Sequence, residues 1–167
     1  MHVPDATAGR TPVEARVFHS LAGDWRLSRT IPGHGSMTGV ARFRHVEPAV
    51  LSYEEEGRLA LTSGLVVTAR REYRYVLERG QIRVTFARPS EPGGTLHVLR
   101  LRRDPPTQRC DVMGAAGWPV VANDVHLCGL DTYAGEYRFE HDSRIVIRMR
   151  VQGPAKGFWI TTVLDRR

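Results

Sequence analysis

Leu21-Ala22-Gly23-Asp24-Trp25 is the stretch on which the fold turns. Upstream of it, Val13, Val17, Phe18 and Leu21 fall on one apolar face at helical spacing. Thr11, Pro12 and Glu14 read as a capping box with proline at the first helical position. Gly23 is placed to stop that helix. Downstream, from Asp24, the period becomes two and the helical pattern does not return. The stretch therefore marks the join between a plug helix and an antiparallel β-structure.

Trp25, Leu27, Arg29 and Ile31 share one side of the first strand; Arg26, Ser28 and Thr30 share the other. After the turn at Pro32-Gly33-His34-Gly35, the second strand puts Met37, Gly39, Ala41, Phe43 and His45 together. The third, Val50 to Leu59, aligns Leu51, Tyr53, Glu55 and Gly57. The fourth, Leu65 to Leu77, aligns Leu65, Val67, Ala69, Arg71, Tyr73, Tyr75 and Leu77. Arg79-Gly80 marks a hairpin, and Gln81 to Ala87 and Thr95 to Arg102 follow as strands around a Pro/Gly loop at 89–94. Arg109 to Met113 has strand character, and Gly114-Ala115-Ala116-Gly117 reads as irregular. Val120 to Cys128, Asp131 to Glu140, Ser143 to Gln152 and Gly157 to Asp165 complete the series. About ten short strands at near-regular spacing after one helix predict an all-β, antiparallel barrel, since closure removes both sheet edges and encloses a cavity. Residues 1–11 read as a flexible leader and 12–167 as a single barrel domain.

The 167 residues carry a net charge of +6, with Lys156 the only lysine. Hydrophobic residues at 41% and charged residues at 25% suit a globular protein. No apolar run is long enough to span a membrane, and the N-terminus has no secretory h-region, so a cytoplasmic location is expected. There Cys110 and Cys128 are expected as reduced, part-buried thiols. The arginines are interleaved with acids, which argues against specific nucleic-acid binding. The expected partner is a small hydrophobic or anionic molecule, and the expected assembly a monomer or homodimer.

Gly23-Asp24-Trp25 is similar to the Gly-x-Trp signature of lipocalins and their calycin relatives. That resemblance implies a tryptophan closing one barrel end with Arg166 or Arg167 packed across its ring. Phe18 to Arg29, Gly39 to Phe43, Tyr53-Glu54-Glu55 with Gly57, Arg71 to Tyr75, His126 with Cys128, Asp131 and Tyr133, and Gly153-Pro154 with Lys156 through Thr161 and Arg166 resemble an uncharacterised calycin-like family. This domain of unknown function is found in bacteria and some protists. The resemblance implies a lipocalin-like barrel and no particular activity. Nitrobindins, haem-binding barrels of similar length, carry a Gly-rich tract after the tryptophan. Arg26-Leu27-Ser28-Arg29 stands there instead, so haem is disfavoured and no cofactor is expected.

Charge on faces that should be apolar carries the chemistry. Tyr53 and Glu55 on one strand, and Arg71, Tyr73 and Tyr75 on the next, face one another in an antiparallel pairing. A buried Arg71–Glu55 pair among phenols, joined by Arg29, satisfies the rule that buried charges need partners. Such a floor could orient a ligand's carboxylate, phosphate or carbonyl. Arg71-x-Tyr73 is similar in chemistry to the carboxylate clamp of fatty-acid-binding proteins. A purely structural network, or an outward solvated face, would use the same residues. His126 and Tyr137 are further wall candidates. His45 and His97 read as surface or wall. His126 with Cys128 supplies too few ligands for zinc and no visible cause for a thiolate, and no metal is expected. Lys156 reads as a solvated loop residue, Trp118 and Trp159 as core closures. Two functions remain open. One is a binding module using Arg29, Tyr53, Glu55, Arg71, Tyr73, Tyr75, His126 and Tyr137. The other is an isomerase, cyclase or hydratase with Glu55 as base and Tyr73 or His126 as acid.

Overall fold

A computed structural model describes residues 11–87, 94–104 and 118–167. Residues 1–10 of the expected leader, the loop residues 88–93, the strand at Arg109–Met113, the Gly-rich piece and Cys110 lie outside the described residues.

One helix, α1 (Val13–Leu21), precedes eleven strands. They are β1 (Gly23–Ile31), β2 (Gly35–Glu47), β3 (Val50–Leu61), β4 (Val66–Glu78), β5 (Gln81–Phe86), β6 (Thr95–Leu99), β7 (Arg102–Arg103), β8 (Val120–Cys128), β9 (Asp131–His141), β10 (Arg144–Gly153) and β11 (Lys156–Arg166). They form a single 11-stranded antiparallel sheet in the order β6-β5-β4-β3-β2-β1-β11-β10-β9-β8-β7. Every neighbour except β1–β11 is also a neighbour in sequence, and that pair joins the chain's two ends: Trp25 lies opposite Arg166 and Arg29 opposite Thr162. The expected strand at Thr95 to Arg102 is split into β6 and the short β7, which pairs only with the start of β8.

The sheet curls until β6 meets β8, and the two pack without a backbone ladder. Side chains hold this seam. The Val98 N–H donates to Asp124 Oδ2 at 2.6 Å. His97, fully buried, uses both ring nitrogens: Nε2 lies 2.9 Å from the Tyr133 carbonyl and Nδ1 2.8 Å from the Tyr137 hydroxyl. A carbonyl only accepts, so Nε2 carries the proton, and in the neutral ring Nδ1 accepts from Tyr137. Burial lowers the His97 pKa, against the raising effect of the Tyr133 bond, and keeps the ring neutral. Gly135 makes the fit possible, since a Cβ there would stand 2.5 Å from His97 Cε1.

The inward faces follow the alternation in sequence. Trp25, Leu27, Met37, Ala41, Phe43 and Leu51 are buried, and α1 lays Val17, Phe18 and Leu21 into the same core. The capping box does not form. The helix begins after Pro12 without a side-chain cap, and Glu14 Oε1 instead accepts the Gly80 N–H at 3.0 Å, tying α1 to the β4–β5 turn. Trp25 Nε1 donates to the Leu21 carbonyl at 2.8 Å, joining helix end to sheet. Arg166 is the arginine across the tryptophan: its guanidinium carbon lies 4.3 Å from the ring centroid, and it donates to the carbonyls of Ser20, Ala22 and Asp142. Gly23 has φ +135°, and a Cβ there would lie 2.6 Å from Arg166 Nη1. The glycine of this signature therefore makes room for the arginine as well as ending the helix.

Several expectations on outward residues are corrected. Leu65, Val66 and Val67, at and just before the start of β4, stand 37–57% exposed, whereas His45 is exposed in keeping with its surface reading. Trp159 does not close the core; it lies outside at 37% exposure, between the guanidinium groups of Arg148 and Arg150. Cys128 is an exposed thiol rather than part-buried. Lys156 pairs with Asp131. Among the described residues no helix is long and apolar enough to cross a membrane, which says nothing of β-barrels.

Candidate functional site

The polar floor is built on β1, β3 and β4. Arg29 is buried and grips Glu55 with both ends of its guanidinium: Nη1 to Oε1 at 2.6 Å and Nη2 to Oε2 at 2.8 Å. Its Nε donates to Thr162 Oγ1 at 2.8 Å. The Tyr53 hydroxyl donates to Glu55 Oε2 at 2.5 Å. The anticipated partners are thus exchanged. Arg71 lies directly opposite Glu55 in register, yet its Nε stays 3.8 Å away and its side chain is 43% exposed. The reason lies in β2. The diagonal from Arg29, opposite Met37, to Glu55, opposite Ala41, crosses that strand at Gly39. Gly39 and Gly57 are paired and bring the two backbones close: a Cβ on Gly39 would lie 2.1 Å from the Glu56 carbonyl oxygen. With no side chain in the way, the long arm of Arg29 reaches across.

Burial raises the Glu55 pKa, but the Arg29 bonds and charge outweigh it and hold the carboxyl below its ordinary value. Arg29 loses some basicity to burial and regains more from Glu55, ending above its usual range. Burial first, and the Glu55 charge second, push the Tyr53 phenol well up, so it remains a donor. Burial raises Tyr75 and Tyr137 in the same way. Glu55 is therefore an ionised carboxylate with both oxygens occupied, which disfavours its expected part as a general base.

Arg29, Tyr53, Glu55, Arg71, Tyr73, Tyr75 and Tyr137 all border one small hollow, together with Thr162 and aliphatic residues. The hollow measures about 40 Å³. That is room for a water molecule or one headgroup, far below the roughly 300 Å³ at which ligand pockets begin. A space of that size takes only the polar end of a ligand, so these residues are placed as a floor. A wider space of about 480 Å³ sits at the mouth, bordered by Phe86, Leu127, Cys128, Tyr133 and His126. It shares Arg71, Tyr73, Leu96, Met149 and Ile160 with the hollow below. His126 is thus in the mouth and not on the floor, its ring 5.7 Å from that of Phe86. Phe86, Leu96, Met149 and Ile160 were not singled out in sequence, because ordinary apolar strand residues carry no signal of the cavity they border.

The hollow offers donors. Tyr75 is only 5% exposed and makes no hydrogen bond among the described residues, yet no buried side-chain polar atom lacks a partner there. Its hydroxyl must therefore open onto the hollow. Tyr73 and the Nη atoms of Arg71 likewise make no hydrogen bond among the described residues. Arg71 can only donate, and the one carboxylate present is already used. Among the described residues no group of three or more His, Cys, Asp or Glu could hold a metal ion.

Fold and floor together define a small, curled antiparallel sheet of barrel type with a polar base under a wide mouth. The chain belongs to the family of unknown function DUF6314, whose model matches residues 21–166. No curated protein matches the chain. Among solved structures it is similar to the S-type phycobiliprotein lyase CPES from Guillardia theta, at TM-score 0.57 and 10% identity, over 95% of this chain and 94% of that one. It also matches EF1p2_mFAP2b bound to DFHBI, with TM-score 0.48, 10% identity and coverage of 92% and 99%. A de novo designed fluorescence-activating β-barrel matches at TM-score 0.46 and 11% identity, over 93% and 100% of the two chains. At such identities the likeness is one of fold.

Proposed function

We propose that this protein binds a small amphiphilic molecule whose acceptor-bearing head, an anion by preference, sits in the hollow and whose apolar body fills the mouth. The observation that carries this reading is the set of unused donors on Arg71, Tyr73 and Tyr75 around a space the size of a headgroup. Counting charges, Arg29 and Glu55 cancel and Arg71 is left over. A carboxylate, sulfonate or phosphate would complete it, whereas an ammonium head could use the tyrosine hydroxyls as acceptors but would be repelled by the Arg71 charge. The sealed pair beneath fixes the floor before any ligand arrives, which lowers the ordering cost of binding.

Catalysis by the expected Glu55 and His126 finds no support in their placement, since the carboxylate is tied up and the imidazole stands at the mouth. The test is calorimetric titration with a medium-chain carboxylate and with the matching alkylamine. The carboxylate is expected to bind, and Arg71→Ala to weaken it about tenfold or more, the worth of one charge-assisted hydrogen bond. Equal binding of the amine, or undiminished binding by the variant, would end the proposal.

A further inference from the structure

The mouth is walled by rings. Tyr73, Phe86, His126 and Tyr133 all border it, and all are half-buried, with surface left open to that space. They come from β4, β5, β8 and β9, so they stand on both sides of the seam. They touch one another in a chain: Tyr73 to Phe86 at 6.0 Å, Phe86 to His126 at 5.7 Å, His126 to Tyr133 at 6.2 Å, with interplanar angles of 47–64°. Below, Tyr53 stacks on Tyr73 at 6.0 Å and 23°. The rest of the border includes aliphatic and thioether side chains, from Leu96, Met149 and Ile160.

From this we infer that the ligand is a planar aromatic acid rather than a flexible alkyl one. The inference rests on the acid-binding reading above. A saturated chain gains nothing from ring faces beyond the area it covers. An aromatic body adds offset-stacked and edge contacts with the ring chain, and Met149 supplies a sulfur for a ring edge. A flat, rigid body also gives up less conformational freedom on binding than an alkyl chain of equal carbon count. The head of such a ligand points inward, because Arg71 borders both spaces and leads from the ringed mouth to the donors of the floor.

The probes are 2-naphthoate and undecanoate, which have the same number of carbons and the same carboxylate. Titrated into the full chain, naphthoate is expected to bind about tenfold tighter, the sum of a few ring contacts. Phe86→Leu keeps an apolar wall but removes the central ring. It is expected to bring the two affinities together by weakening naphthoate more than undecanoate, with thermal unfolding confirming that the variant folds. Undecanoate binding as tightly as naphthoate, with both lost on Arg71→Ala, would overturn the aromatic class and leave acid binding standing. A naphthoate preference that survives Phe86→Leu would also overturn it. If neither probe binds, both readings fall.

Discussion

The two sides of Glu55 obey different rules. Toward β1 and β11, Arg29 is buried and engages all three of its guanidinium nitrogens, with Glu55, Thr162 and the Met37 sulfur. Toward β4, Arg71 faces the same carboxylate, is 43% exposed and leaves donors unused. One arginine belongs to the fold and the other to the space above it. The contrast teaches that a charge on an inward face is not in itself a sign of a binding site. What separates site from scaffold is whether the charge still has bonds to give.

The largest effect tests the scaffold side. Arg29→Leu strands an ionised carboxylate in the core and is expected to cost about 3–5 kcal/mol in a denaturant titration. Arg29→Leu combined with Glu55→Leu removes the stranded charge and is expected to recover most of that loss. If the double variant is no more stable than the single one, Arg29 matters for its packing and the contrast with Arg71 weakens.

A middling effect concerns the seam. His97→Phe leaves the Tyr137 hydroxyl and the Tyr133 carbonyl without their partner, at an expected cost of about 1–3 kcal/mol. Its pH signature is separable. The folded-state pKa of His97 lies below the ordinary 6.5, so its contribution is complete above that pH and is lost as pH falls toward the folded value. Glu55 is also depressed, and its contribution fades only below the ordinary 4.5. Stability is therefore expected to decline already between pH 6.5 and 4.5 in the parent and less steeply in His97→Phe, followed by denaturant midpoints across that range. Parallel curves would mean that folding leaves the His97 pKa at its ordinary value, against the effect of its burial.

The smallest effect on stability belongs to Arg71→Ala, expected within about 0.5 kcal/mol of the parent because the group is half in solvent. A loss comparable to that of Arg29→Leu would make Arg71 part of the scaffold and remove the distinction.

Much of this was legible in the chain itself. Period-two alternation from Trp25 to Tyr75 put Arg29, Tyr53, Glu55, Tyr73 and Tyr75 on the inner face, and the register confirms that Glu55 and Arg71 are cross-strand neighbours. The exchange of Arg29 for Arg71 was not legible, because it depends on a guanidinium reaching over a second strand through the gap at Gly39. The place of His126 was hidden for another reason. Alternation gives the face of a strand but not the height along the barrel, and His126 sits beyond the level of the floor. Nor did sequence show the seam, since Asp124 and His97 are distant in the chain and meet only after the sheet has curled. The helix start failed on a competition: Glu14 had two amides to choose from and took that of Gly80.

The seam has one more consequence. An unpaired strand rim is an invitation to strand addition by another molecule. Here the amide of Val98 is already claimed by a carboxylate from across the gap. An added strand would have to displace the Asp124 carboxylate before it could use this amide of the β6 rim.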